Sequence, residues 1–369
     1  MSSTTALAGS KREPAIPARH AAALRLWLGA IALLIVTMIL VGGATRLTDS
    51  GLSITEWQPI VGIVPPLTES DWNEAFAAYK TIPEYTERKR GISLEEFKTT
   101  YWWEWAHRFL GRLIGVVFLV PFVLFWIAGY IPPSLLRRLI GLFVLGGLQG
   151  ALGWYMVQSG LTLRTDVSQY RLAAHFGLAL LILGYTLWLL LGLGVATGAP
   201  TASRRRGPVL VAGTMLALVF VQMLAGALVA GLDAGMGYNT WPLIAGAFVP
   251  SGLGEASPWY LNPFENPLTV QFDHRMLGYA VVAVALGQFL WLALKRAPPA
   301  LLGSAFTLAL LAMLQMALGV WTLLLSVPLT LGLAHQAGAV AVFVVALYHL
   351  WLARSLHFAA SKAHAASSA

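Results

Sequence analysis

Trp102-Trp103-Glu104-Trp105-Ala106-His107-Arg108-Phe109-Leu110-Gly111 stands where a long polar stretch turns into a strongly apolar one. A carboxylate, an imidazole and a guanidinium crowd there into about one helical turn at a membrane boundary. Ionisable groups in that position cost free energy unless they bind something. The bland alternative is a belt of interfacial tryptophans with a snorkelling Arg108 and a solvated His107. Partners elsewhere in the chain decide between the two.

Working outward, composition sets the class. Of 369 residues, 57% are hydrophobic and only 11% charged, with a mean hydropathy of +0.70. A soluble globule of this size needs more polar surface, so the chain reads as an all-α polytopic membrane protein. It contains no cysteine, which excludes disulfides, thiolate catalysis, cysteine-ligated clusters and covalent c-type haem. The net charge of +8 is scattered in short clusters beside apolar segments. That pattern reports topology and gives no reason to expect nucleic acid.

Spans long enough to cross roughly 30 Å of hydrocarbon occupy about 25–45, 104–130, 138–158, 170–197, 208–231, 271–294, 300–325 and 329–354. Residues 1–24 read as a cytoplasmic tail, with no cleavage signal or transit peptide. The short connections carry Lys11, Arg12, Arg19 and Arg25, then Arg137 and Arg138, Arg204 to Arg206, Lys295 and Arg296, and Arg354 with Lys362. Both termini are therefore expected inside, and the long loops 46–103 and 232–270 outside. Arg88-Lys89-Arg90 opposes this, but many acids in the same loop, among them Glu69, Asp71, Glu74, Glu84, Glu87, Glu95 and Glu96, offset it. The expected divisions are a tail 1–24, a first half 25–197, a linker 198–207, a second half 208–354 and a tail 355–369.

The two halves repeat each other. Asp49-Ser50-Gly51 and Trp57 match Asp233-Ala234-Gly235 and Trp241; His107-Arg108-Phe109-Leu110-Gly111 matches His274-Arg275-Met276-Leu277-Gly278. Gln149-Gly150-Ala151-Leu152-Gly153 matches Gln315-Met316-Ala317-Leu318-Gly319, and Ala174-His175 matches Ala334-His335. Four matches in one order imply two four-helix bundles. An even number of spans per half makes the repeat parallel.

The repeat places His107, His175, His274 and His335 near the starts of the even spans, all within roughly 10 Å of the outer boundary. The duplication suggests one pair per half, His107 with His175 and His274 with His335, although crossed pairs stay open. Two histidines from facing helices, among apolar and glycine-rich neighbours without an acidic cluster, suit a bis-imidazole haem iron better than zinc or a di-iron site. Arg108, Arg171 and Arg275 lie near these positions and are candidates for propionate pairing. His349 lies 14 residues beyond His335, roughly 21 Å along a helix; with His20, His357 and His364 it is read as a non-ligand. Asp49, Asp233 and Asn239 are read as turn residues.

Glu104 breaks the symmetry. It lies three residues before His107, where the second half has Gln271 before His274. A carboxylate beside only one metal site suggests proton-coupled chemistry there and electron transfer at the other. A capping or Arg108-pairing role would explain it without function.

Trp103-Glu104-Trp105-Ala106-His107-Arg108, Gly42-Gly43-Ala44-Thr45-Arg46-Leu47-Thr48 with Ser50-Gly51-Leu52-Ser53-Ile54, Asn239-Thr240-Trp241-Pro242-Leu243 and Asp273-His274-Arg275 together resemble the haem A synthase family over about residues 20–355. The resemblance is to the branch lacking the cysteine pair that some members carry in the first external loop. It implies oxidation of the C8 methyl of haem O to a formyl group, giving haem A for terminal oxidases. It further implies haem b on His274 and His335, the substrate haem on the side of His107 and His175, and Glu104 as the essential carboxylate. A bacterial inner membrane is the expected location, with lipid as surroundings and haem O synthase, an electron acceptor and further copies of the chain as candidate partners. A di-haem b electron-transfer cytochrome would use the same histidines without needing Glu104, and an eight-helix transporter would explain the duplication without metal.

Overall fold

The structure is a computed structural model that describes residues 16–58, 61–162, 164–193 and 207–367. Lys11, Arg12, Arg204 to Arg206 and most of the expected linker lie outside the described residues, as do the side chains of His357, Lys362 and His364. Among the described residues ten α-helices occur in the order α1 (Ala18–Leu47), α2 (Glu69–Tyr79), α3 (Leu94–Ile127), α4 (Pro133–Thr162), α5 (Gln169–Gly192), α6 (Gly207–Gly231), α7 (Asn262–Glu265), α8 (Pro267–Leu294), α9 (Pro299–Leu324) and α10 (Leu329–Ser367). All but α2 and α7 are long and apolar enough to cross a membrane, eight in total. Among the described residues the only β-pairing is an isolated bridge between Ile244 and Ala247.

Each half closes as a ring of four helices. In the first, α1 packs on α3 and α5, and α4 links α3 to α5; in the second, α6 packs on α8 and α10, and α9 links α8 to α10. Two seams join the rings, α1 against α10 and α5 against α6, as a parallel repeat requires. The rings are not equally tight. Helices α8 and α9 pack along their length, whereas α3 and α4 touch sparsely. Only 11% of the α3 window and 6% of the α4 window is buried, against 22% and 33% for α8 and α9.

The second expected span begins ten residues early, at Leu94. Ser93 caps it: its Oγ accepts from the Glu96 N–H, and the Glu96 carboxylate accepts from the Ser93 N–H at 2.8 Å. This reciprocal pair satisfies two donors that a helix start would otherwise leave open. The first turns of α3 therefore stand in the long loop, where Phe97 packs with Trp72, Phe76 and Tyr79 in a small separate core. Outside hydrocarbon the hydrophobic effect acts in full, about 1.5–3 kcal/mol per large side chain buried. Burial pushes the Glu84 carboxyl above its usual range, with Lys89 pulling the other way, and the Tyr79 hydroxyl donates to it at 3.1 Å.

Inside the bilayer no such force operates between helices, so close packing and backbone satisfaction take over. Pro121, within α3, lacks the N–H that the Val117 carbonyl would receive four residues on. The Trp27 indole of α1 donates to that carbonyl at 2.9 Å.

Candidate functional site

The four histidines stand on α3, α5, α8 and α10 near the loop-rich end, and every ring leans on a glycine of a neighbouring helix. A Cβ on Gly42 would lie 3.2 Å from His107 Nε2, on Gly153 2.9 Å from His175 Cε1, on Gly226 3.1 Å from His274 Cε1, and on Gly319 2.6 Å from His335 Cε1. The glycine-bearing helices α1, α4, α6 and α9 thus admit the imidazoles. By contrast, Gly146, Gly147 and Gly150 of α4 would meet nothing within 4 Å. Gly319→Ala is accordingly expected to displace the His335 ring and lower retention of any group bound there more than Gly226→Ala does, with Gly150→Ala neutral. Haem content per polypeptide after purification measures that order.

Glutamines flank the rings. Gln149 donates to the His175 carbonyl at 3.0 Å and lies 3.3 Å from its Nδ1; Gln315 donates to the His335 carbonyl at 2.7 Å and lies 2.9 Å from its Nδ1. Such contacts fix ring orientation, as outer partners of metal-binding histidines do. On the other side the halves differ. Gln222 of α6 lies 3.2 Å from His274 Nδ1. Its counterpart on α1 is Met38, since a Cβ on Gly111 would meet Met38 where one on Gly278 would meet Gln222.

The rings of His274 and His335 face each other with centroids 6.5 Å apart and planes at 81°. Two metal–imidazole bonds of about 2 Å plus the two ring radii come to about that distance, so the spacing of the rings suits a shared metal. No cluster of three or more His, Cys, Asp or Glu suited to a metal occurs among the described residues. A metal held here has to bring its remaining ligands, as a porphyrin does.

Glu104 is buried, 2% exposed. Its Oε2 accepts from the Ser53 hydroxyl and the Ile54 N–H, each at 2.8 Å, and its Oε1 accepts from Arg108 at 2.6 Å. Arg108 also donates to the Ile54 and Glu56 carbonyls at 2.8 Å. The second half copies this with neutral chemistry: Arg275 donates to Gln271, Tyr238 and Thr240, and Gln271 donates to the Ala234 carbonyl. Both arginines are thus occupied in pinning the loops, and Arg171 donates to the Tyr155 carbonyl and covers its ring. The pairing of Glu104 with Arg108 exists, and it leaves Oε1 with one donor.

Sequence reasoning missed a charge cluster at the loop-rich end of the seam. Arg46 bonds Asp49 at 2.9 Å, Asp166 at 3.2 Å, Asp233 at 2.8 Å and the Ala230 carbonyl at 3.0 Å, joining the two halves. Arg88 pairs with Asp166, and Lys89 with Glu84. Asp49 and Asp233 take the left-handed φ of 46° and 51°, a conformation Asp tolerates in turns, and Asn239 ties Gly235 to Leu323. The turn readings hold. His20 stacks on Tyr130, and His349 is fully buried between Gln288 and Ser304.

Proteins of known name match over most of the chain. A protein of Parvibaculum lavamentivorans is 52% identical over 88% of this chain and 92% of its own length; one of Rhodopseudomonas palustris is 52% identical over 90% and 92%; one of Azorhizobium caulinodans is 50% identical over 93% and 97%. Each carries the name Heme A synthase. The family model described as cytochrome oxidase assembly protein matches residues 25–347, so the chain belongs to the COX15-CtaA family.

Proposed function

We propose that this multi-pass membrane protein is a haem A synthase, oxidising the C8 methyl of haem O to a formyl group. The observation that carries the reading is the difference between two otherwise matched rings. The first has a buried carboxylate, Glu104, where the second has Gln271. The first is also loosely closed between α3 and α4, and the second is tight between α8 and α9. An open ring suits a substrate that arrives and leaves; a closed ring suits a resident cofactor.

His274 and His335 would hold haem b, and His107 and His175 would take the substrate haem. Haem supplies the oxidising chemistry when bound. The chain positions it, excludes water and handles protons. Glu104 would accept, through Oε1, a proton released as the methyl carbon is oxidised and takes its oxygen from water, the electrons passing to an acceptor outside the chain. Ser53 and Ile54 hold the other oxygen, so the carboxylate keeps its aim. Arg171, with Arg108 and Arg275 beneath the loops, supplies positive charge for the propionates.

The loop-rich end faces outward and both termini lie in the cytoplasm of a bacterial inner membrane. Arg19, Arg25, Arg137, Arg138, Lys295, Arg296 and Arg354 lie at the opposite end, as the positive-inside tendency requires. Arg88 and Lys89, which oppose it, are paired with acids.

Expression alongside a haem O source, followed by chromatography of the extracted haems, tests the activity. Haem A beside haem b is the expected result. Haem b alone under every condition would replace this reading with a di-haem electron-transfer cytochrome.

A further inference from the structure

Consecutive glycines on α1 serve different halves of the molecule. Gly42 makes room for His107, as described above. One residue on, a Cβ on Gly43 would lie 1.7 Å from Gln336 Oε1 and 2.9 Å from its Nε2. Gln336 belongs to α10 and directly follows His335. Its Nε2 donates to the Ile39 carbonyl of α1 at 3.0 Å, the carbonyl that the Gly43 N–H uses for its own helical bond. Gln336 therefore reaches bare backbone across the seam, and only glycine at 43 permits it.

The other seam, related by the repeat, is built differently. Ala227 takes the place of Gly43, and Phe176, following His175, takes the place of Gln336. Both are apolar: Ala227 is buried, and Phe176 packs beside the main core. The repeat therefore does not require a polar contact at this level. In hydrocarbon an amide that loses its partner is left unsatisfied. A glutamine kept at one seam only, next to a ligand histidine, ties two particular turns of helix together.

We propose that Gln336 is a positioning residue that couples the two haem-binding halves, setting the turn of α10 that bears His335 against the turn of α1 on which His107 rests. This deepens the haem reading of the four histidines and rests on it. The connection is contiguous: His335 and Gln336 are bonded neighbours, Gln336 grips Ile39 and Gly43, and Gly42 meets His107. Coupling between sites travels through such unbroken contacts when each can bias the other. Loading of the first half would thereby be felt at His335 in the second.

The test uses purified full-length protein carrying its resident haem, with haem O added in detergent. Wild type, Gln336→Ala, Gly43→Ala and the double variant are compared by haem content, thermal midpoint and the low-spin electron paramagnetic resonance signal of the resident ferric haem. In wild type, adding haem O is expected to shift that signal. Gln336→Ala should retain haem and lose the shift. Gly43→Ala should lose it too, because the new methyl displaces the flexible end of Gln336. The double variant should match Gln336→Ala, since no clash remains. A shift that survives in Gln336→Ala, or none in wild type loaded with both haems, overturns the proposal. Wild type without haem would instead overturn the haem reading beneath it.

Discussion

Glu104→Gln is expected to lower haem A formation by about 10²–10⁴-fold, the range that loss of a positioned acid or base removes, while leaving resident haem in place. The second half shows why the fold tolerates the change: Gln271 occupies the matching position, buried to the same 2% exposure and bonded to Arg275 at 2.8 Å. A glutamine at 104 keeps the bond from Arg108 through its oxygen. Its amide then faces the Ile54 N–H, which costs about 1–3 kcal/mol in the loop, and the Ser53 hydroxyl turns to accept from it. Chemistry is lost while architecture stays. Haem extracted from the variant should be haem b with unconverted haem O, and the thermal midpoint should fall only slightly. Wild-type haem A output would remove Glu104 from the reaction.

His274→Ala is expected to abolish retention of haem b. The ring lies 6.5 Å from that of His335, and its loss would leave a single imidazole, with no metal-binding group of three or more His, Cys, Asp or Glu among the described residues to replace it; Gln222, on α6 beside His274, is a weak metal ligand. His107→Ala should leave haem b bound and impair handling of the substrate haem. Pyridine haemochrome spectra of the two proteins separate these outcomes. Loss of haem b from His107→Ala or His175→Ala, with retention in His274→Ala, would exchange the roles of the halves. Loss caused by one histidine from each half would mean crossed pairing.

The spans were legible because hydropathy survives local irregularity: all eight expected segments overlap the observed helices. The repeat was legible at the histidines and at Asp49 and Asp233. What escaped was contact between distant residues. Ser53 reaches Glu104 across 51 positions, and the sequence showed Ser53 only as part of a motif without a role. Arg46 stood in the sequence only as part of a motif without a role, and its three carboxylate partners come from three connections. The early start of α3 was missed because residues 94–103 are mixed in character and carry no membrane-length apolar run. Ser93 and Glu96 did announce it, as Ser-x-x-Glu at a helix start. The pairing of Gln222 with Met38 needed the registration of α1 on α6, where few residues match.

Because α3 runs unbroken from Leu94 to Ile127, the aqueous loop and the membrane site share one rigid rod. Phe97, locked in the loop core, and His107 are ten residues apart, about 15 Å along the axis. A tilt of the loop core on the outer surface therefore swings Glu104 and His107 as a lever swings its load. Glu104 and His107 thus stand partway along a rod whose near end the loop core grips.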